Sequence, residues 1–360
     1  MASYTEKVQR QIDQYRNVGQ ERTVADIQEL PAMFHYWSNR YVLPLIVEIL
    51  GVGNIFELYS KYFAESLARI PDNNRLLSVG CGDCSFETGV AQDLINKGVE
   101  DFVFECLDIS PHLIRKSQER VDSLGLGAHF VIAQGDINHW TPAEIYCGVM
   151  AHQSLHHVVE LERLLGSIRS ALHPDGVFIS SDMIGRNGHM RWPEALEIVN
   201  AIWAFLPDHL KHNRLLKRFE ETYYNHDCSQ EGFEGIRSQD ILPLLVKSFH
   251  FERFLAYGNI PDVFIERCFG HNYSPDDGKE RAFVDFLEFL NRLLIDLGHI
   301  KPTMMFAVMD MKPQGDTICY KHWTPEYCIR STDDLPKVEP GFANEKGLPL
   351  IKKIGKMLWG

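Results

Sequence analysis

Two glycines, two spaced carboxylates and a run of histidines are the residues of this chain whose types and spacing suit chemistry. Val79-Gly80-Cys81-Gly82-Asp83 sets Gly80 and Gly82 directly after an apolar run. Backbone without side chains can pass close to a ligand there, and a helix that follows offers free N–H groups to anything polar at its start. Twenty-eight residues beyond Gly80, a second apolar run ends in Asp108-Ile109. From that position a carboxylate accepts hydrogen bonds from both ribose hydroxyls of an adenosine. A third run leads into Gln134-Gly135-Asp136-Ile137, which puts a side-chain acceptor beside an adenine amino group. A fourth leads into Ala151-His152-Gln153-Ser154-Leu155-His156-His157-Val158, where imidazoles suited to proton transfer gather.

The elements that must position these residues follow from hydrophobic periodicity. Leu76–Val79, Phe102–Leu107, His129–Ala133, Ile145–Met150 and Val177–Ser181 each predict a buried strand, with helices over Phe86–Asn96, Pro111–Leu124 and Glu160–Leu172 between them. The third of these helices sets Leu161, Leu164, Leu165, Ile168 and Leu172 on one face and stops at His173-Pro174-Asp175-Gly176. Regular alternation of this kind predicts an α/β fold with a parallel sheet and right-handed crossovers. Phe249–Tyr257 and Met304–Met311 predict two further strands, separated by a helix bearing Phe283, Phe286, Leu287, Leu290, Leu293 and Leu294. The divisions expected are a helical N-terminal cap over 1–70, a ligand-binding core over 71–190, a helical lid insertion over 191–245, the last two strands over 246–312 and a C-terminal extension over 313–360.

Composition narrows the function classes. The 360 residues are 45% hydrophobic and 24% charged, which suits a folded globular chain and excludes a low-complexity one. With 36 basic against 49 acidic residues the net charge is -13, so the overall field repels phosphate backbones and anionic lipid. Neither nucleic acid nor a membrane is expected as partner. The stretch from Tyr41 to Phe56 is interrupted by Glu48 and falls short of the ~20 residues that span a bilayer. The first 30 residues carry charges and no apolar h-region, which predicts a cytoplasmic protein. The eight cysteines then read as reduced and mostly buried; Cys81 and Cys84 form a C-x-x-C without a second pair, so no zinc or redox role is assigned.

The order of the four segments resembles the class I S-adenosylmethionine-dependent methyltransferases, over about residues 75–182 and more loosely over the final strand pair. The resemblance implies a doubly wound, mostly parallel, seven-stranded Rossmann-like sheet with S-adenosylmethionine as cofactor. By that resemblance Gly80, Cys81 and Gly82 lie under the methionine part, Asp108 with Ile109 holds the ribose, Asp136 with Ile137 faces the adenine, and His152 to His157 borders the methyl group. Two departures matter: Ser78 stands where the family usually has an acidic residue, and Cys84 where it has a third glycine. Glu87, one turn into the helix, is the expected substitute for the missing acid.

Methyl transfer from a sulfonium is an in-line displacement, so alignment and exclusion of water matter most, and a base helps a hydroxyl acceptor. His157 is the first choice of base and His189 the second, with His156 and Asp182 as further catalytic candidates. A metal on His152, His157, His189, Asp182 and His226 is not expected, because His152 and His156 straddle a strand-to-helix turn instead of sharing a helix face. Trp192, Trp203, Phe205, Phe219, Tyr223, Tyr224 and Phe233 supply aromatic surface for a lid over an organic acceptor, half of them as ordinary core. The expected function is methylation of a small molecule of natural-product or sugar type, oxygen ahead of nitrogen, with a homodimer left open. The alternatives are aminopropyl-transfer chemistry on the same fold and an inactive cofactor-binding subunit.

Overall fold

Arg75–Val79 is a strand whose last four residues are buried on both faces, as a continuous apolar run in a parallel sheet must be. In this computed structural model, which describes residues 4–18, 29–230, 232–313 and 315–331, that strand (β1) lies at the middle of the sheet. The chain steps outward through β2 (Val103–Asp108) to β3 (Phe130–Gln134), then returns to lay β4 (Tyr146–His152) on the other side of β1 and β5 (Leu172–Met183) beyond it. After a separate ribbon of β6 (His212–Asn213) and β7 (Arg218–Phe219), β8 (His250–Tyr257) and β9 (Met304–Asp310) complete the seven expected strands. β9 runs antiparallel between β5 and β8, and all other pairs in the main sheet are parallel. A two-residue strand, β10 (Ile318–Cys319), adds an eighth at the edge.

The strand order reverses between β1 and β4, and a crevice opens at the carboxyl ends of the strands at such a switch point. Helices flank the sheet. α1 spans Tyr4–Val18, α2 is the helical run over 32–50, and α3 spans Ile55–Arg69. α4 (Ser85–Asn96), α5 (Pro111–Ser123) and α6 (Leu161–Ala171) fill the three predicted positions. The α6 helix ends earlier than expected: β5 begins at Leu172 and pairs with Tyr146 across a bulge, so the His173 to Gly176 stretch is strand instead of turn.

α3 belongs to the sandwich and not to a cap. It packs on α4, β4 and β5, and a Cβ at Gly148 of β4 would lie 2.5 Å from Phe63 Cδ1. The run from Ala32 to Arg69 is long and apolar enough to cross a membrane, yet it breaks at Gly51 and buries Trp37, Ile46, Leu50, Leu58 and Phe63 in the core. α2 also lies away from the crevice. Its Trp37 Nε1 donates to Glu288 Oε2, and the Tyr36 and Tyr41 hydroxyls both donate to Asp285 Oδ1.

The insertion is only partly helical. α7 (Pro193–Trp203) and α8 (Ser238–Ser248) are joined by the β6–β7 ribbon and short irregular turns, and Trp203 Nε1 donates to the Glu220 carbonyl at 3.0 Å. Trp203 packs edge-on against Phe269 beside α9 (Ile260–Ile265), so this aromatic cluster is core. α10 (Gly278–Asp296) is the helix between the last two long strands, and α11 (Pro325–Cys328) follows β10. The rest of the expected C-terminal extension, from 332 onward, lies outside the described residues.

Candidate functional site

The turn after β1 is shaped by three left-handed residues and a close approach. Gly80 has φ +76, and a Cβ there would sit 2.6 Å from Ser154 Cβ in the turn after β4. Gly82 has φ +59 and only open space where its Cβ would point, which leaves room for a ligand. Cys84, where a third glycine was expected, takes φ +54 at the start of α4. The Gly80 and Cys81 amides both donate to the Leu107 carbonyl, and Gly82 N donates to Asp108 Oδ2 at 3.0 Å. Asp108 therefore holds the glycine turn as well as facing the crevice.

A cavity of about 990 Å³, open solvent at its mouth included, runs along this edge. It brings together Gly80, Cys81, Gly82, Glu87, Asp108, Ile109, Asp136, Ile137, His152 and His157 from the ends of four strands. Burial pushes the Asp108 carboxyl up to about 6, against the amides of Ser110 and Gly82 that favour its ionised form. Asp136 accepts from the Asn138 amide, and its other oxygen accepts from the Tyr4 hydroxyl at 2.6 Å. Tyr4 also packs on Phe233, so α1 and the insertion meet over the adenine-side acceptor.

Glu87 is the informative group. Its Oε1 accepts from the Ser78 hydroxyl at 2.7 Å, while Oε2 is buried without a partner beside the glycine turn. Burial, helped by the Cys84 thiol, pushes this carboxyl up to about 8. An ammonium group placed at Oε2 would satisfy the orphan and favour the charged form, which is what the amino group of S-adenosylmethionine requires. The residues present therefore fit that cofactor: Glu87 and Ser78 for the amino acid end, the glycine turn beneath it, and Asp108 for the ribose.

The imidazoles divide into two environments. His152 stacks on Phe86 with ring centroids 3.7 Å apart and lies 3.1 Å from the Tyr59 hydroxyl; burial pushes it down to about 4. His156, His157 and His189 gather instead around Glu234. His156 donates from Nδ1 to Asp182 at 2.7 Å and faces Glu234 with Nε2 at 3.5 Å; burial works against its charge, but Asp182 and Glu234 raise it to about 10. His189 Nε2 is 2.8 Å from Glu234 Oε1. His157 lines the cavity, its Nδ1 is buried without a hydrogen bond, and burial with the neighbouring His156 holds it down at about 4.

Asp182 is corrected as a catalytic candidate. It is fully buried, and its oxygens accept from the Ser154, Leu155 and Met183 amides and from His156, so it fixes the turn after β4 and does not line the cavity. His226 lies apart from the cluster, its ring packing on Tyr224. Sequence reasoning missed Glu234, Phe86, Tyr4 and Gln11. Phe86 carried a signal, an aromatic at the first turn of the helix after the glycines, whereas Glu234 sits in a polar loop with no periodicity to mark it.

Residues 70–236 match the family model described as a methyltransferase domain. This stretch, just under half of the chain, is a methyltransferase domain. Its strand order and glycine turn are those of the Rossmann-like kind, and the residues at the site fit S-adenosylmethionine. Among solved structures, a candidate sarcosine dimethylglycine methyltransferase from Galdieria sulphuraria is 14% identical with a TM-score of 0.40, covering 72% of this chain and 86% of its own. Geranyl diphosphate methyltransferase in complex with S-adenosylmethionine is 12% identical with a TM-score of 0.38, covering 70% and 84%. The amino pentose methyltransferase CalS10 of Micromonospora echinaspora is 17% identical with a TM-score of 0.30, covering 38% and 57%. No curated protein sequence is a match to the chain. Within the methyltransferase domain lie the glycine turn, Glu87, Asp108, Asp136 and the four-residue cluster around Glu234.

Proposed function

We propose that this protein transfers a methyl group to a small organic acceptor, a hydroxyl ahead of an amine. The observation that carries the reading is the unpartnered Oε2 of Glu87, a residue that lines the same cavity as the glycine turn and His157. When bound, S-adenosylmethionine supplies an electrophilic methyl on a sulfonium. Glu87 and Asp108 anchor its two ends, so the methyl is held in one place for attack. Phe86, Phe233 and the α1 residue Gln11 line the same cavity and keep water from it. His157 lines the cavity and burial holds it uncharged at neutral pH, which suits it to accept the proton of a hydroxyl. That feature favours oxygen, since an amine acceptor needs only alignment.

Incubation with methyl-labelled S-adenosylmethionine and a metabolite extract tests the reading. Label should appear in a small product whose mass names the acceptor. Absence of labelled product, with cofactor binding intact, would remove it in favour of other chemistry on the same fold or an inactive subunit.

A further inference from the structure

We propose that His156, His189 and Glu234 form a binding site for a divalent first-row transition-metal ion at the wall of the cofactor cavity. One ligand atom from each of the three residues lies within 4.8 Å of the others. Around an ion with ligands at ~2.1 Å, neighbouring ligand atoms are separated by about 3.0 to 3.4 Å. The separations here are 3.5 Å from His156 Nε2 to Glu234 Oε1 and 2.8 Å from His189 Nε2 to the same oxygen. Two imidazoles and a carboxylate with further positions open are a recognised donor set for such metals.

Two more observations point to a cation. Asp182 accepts a hydrogen bond from His156 Nδ1, which fixes the ring and directs Nε2 at Glu234, the arrangement by which a carboxylate orients a ligating histidine. His157 Nδ1 is buried without a hydrogen-bond partner 3.6 Å from Glu234 Oε2, a third nitrogen beside the same carboxylate. Asp182 and Glu234 place two carboxylates among these rings, and a divalent ion would offset their charge. The role of the ion rests on the methyltransferase reading: beside His157, which lines the cavity, it would act as a Lewis acid on an acceptor oxygen and ease loss of its proton.

The test uses the full chain, freed of metal with a chelator and titrated with Co(II) alone. One equivalent should bind, with the visible absorption of an ion on nitrogen and oxygen ligands. His189→Ala and Glu234→Gln should each lower the affinity at least tenfold, and Cys84→Ser should leave it unchanged. Glu234 is partly exposed, so its variant is expected to fold, and an unaltered circular dichroism spectrum checks this. Failure to bind Co(II), or thiolate absorption bands that vanish in Cys84→Ser and so place the ion on Cys81, Cys84 and Cys106, would overturn the site. Calorimetry with S-adenosylmethionine on the metal-free protein reports separately on the methyltransferase reading.

Discussion

Ser78 donates its hydroxyl to Glu87 across the start of the glycine turn, so a serine on the strand and an acid on the next helix together occupy the place of one strand carboxylate. The pair leaves Oε2 of Glu87, a residue that lines the cavity, buried without a partner. Its raised pKa, about 8 against an ordinary 4.5, makes that oxygen sensitive to both pH and cofactor.

In the ligand-free protein the protonated form of Glu87 is the stable one. Its contribution is present in full below the unfolded value of 4.5 and is lost as pH rises through about 8. Glu87→Gln, which cannot ionise, should therefore raise Tm at pH 8.5 more than at pH 5. The same variant should bind S-adenosylmethionine more weakly and lose the proton release that accompanies binding at pH 7. Calorimetry in buffers of different ionisation enthalpy reads that release, and equal release from both proteins would show that Glu87 does not meet the amino group.

Asp108→Ala should weaken cofactor binding by ~1 to 3 kcal/mol, the range for losing a charged hydrogen-bond partner. Part of that loss belongs to the Gly82 amide, which the carboxylate also holds. Asp108→Asn, able to accept from one of the two, should fall between. Unchanged affinity in a folded Asp108→Ala protein removes the ribose assignment.

Removing Asp182 is a stability experiment. Asp182→Ala strips a carboxylate from buried His156 and from three backbone amides, and breaking a buried pair in this way costs about 3 to 5 kcal/mol. Chemical denaturation should show the loss in the absence of any ligand. A variant as stable as the parent would contradict the structural role.

If the acceptor is a hydroxyl, His157→Ala should lower kcat by ~100-fold or more with little change in cofactor affinity. A loss below about threefold means that His157 does not act as base, since general-base assistance is larger than that. The acceptor would then be an amine or a group already acidic.

The cofactor half of the site was legible because each part of it is local. A strand, a glycine turn and a helix follow one another in ten or so residues, and Asp108 and Asp136 fall where apolar runs end. Seven strands and the helices between them could be read for the same reason, since burial on both faces writes continuous apolar runs and burial on one face writes a 3.6 period. Cys84 in a left-handed turn and Glu87 beside Ser78 were within reach of the same reasoning.

Other features were decided only when distant segments met. Glu234 stands 78 residues from His156 and 45 from His189, and nothing in a polar loop announces which histidines it will join. Asp182 looked like a reactive group at a strand end; two amides and an imidazole from the neighbouring turn, with the amide of Met183, consume it, a fact that exists only in the packed sheet. The aromatic N-terminal and inserted segments divide in the same way. Phe233 lines the cavity with Tyr4 packed on it while Trp37 and Trp203 fill cores elsewhere, because an aromatic side chain buries equally well against any apolar neighbour and only tertiary packing chooses which.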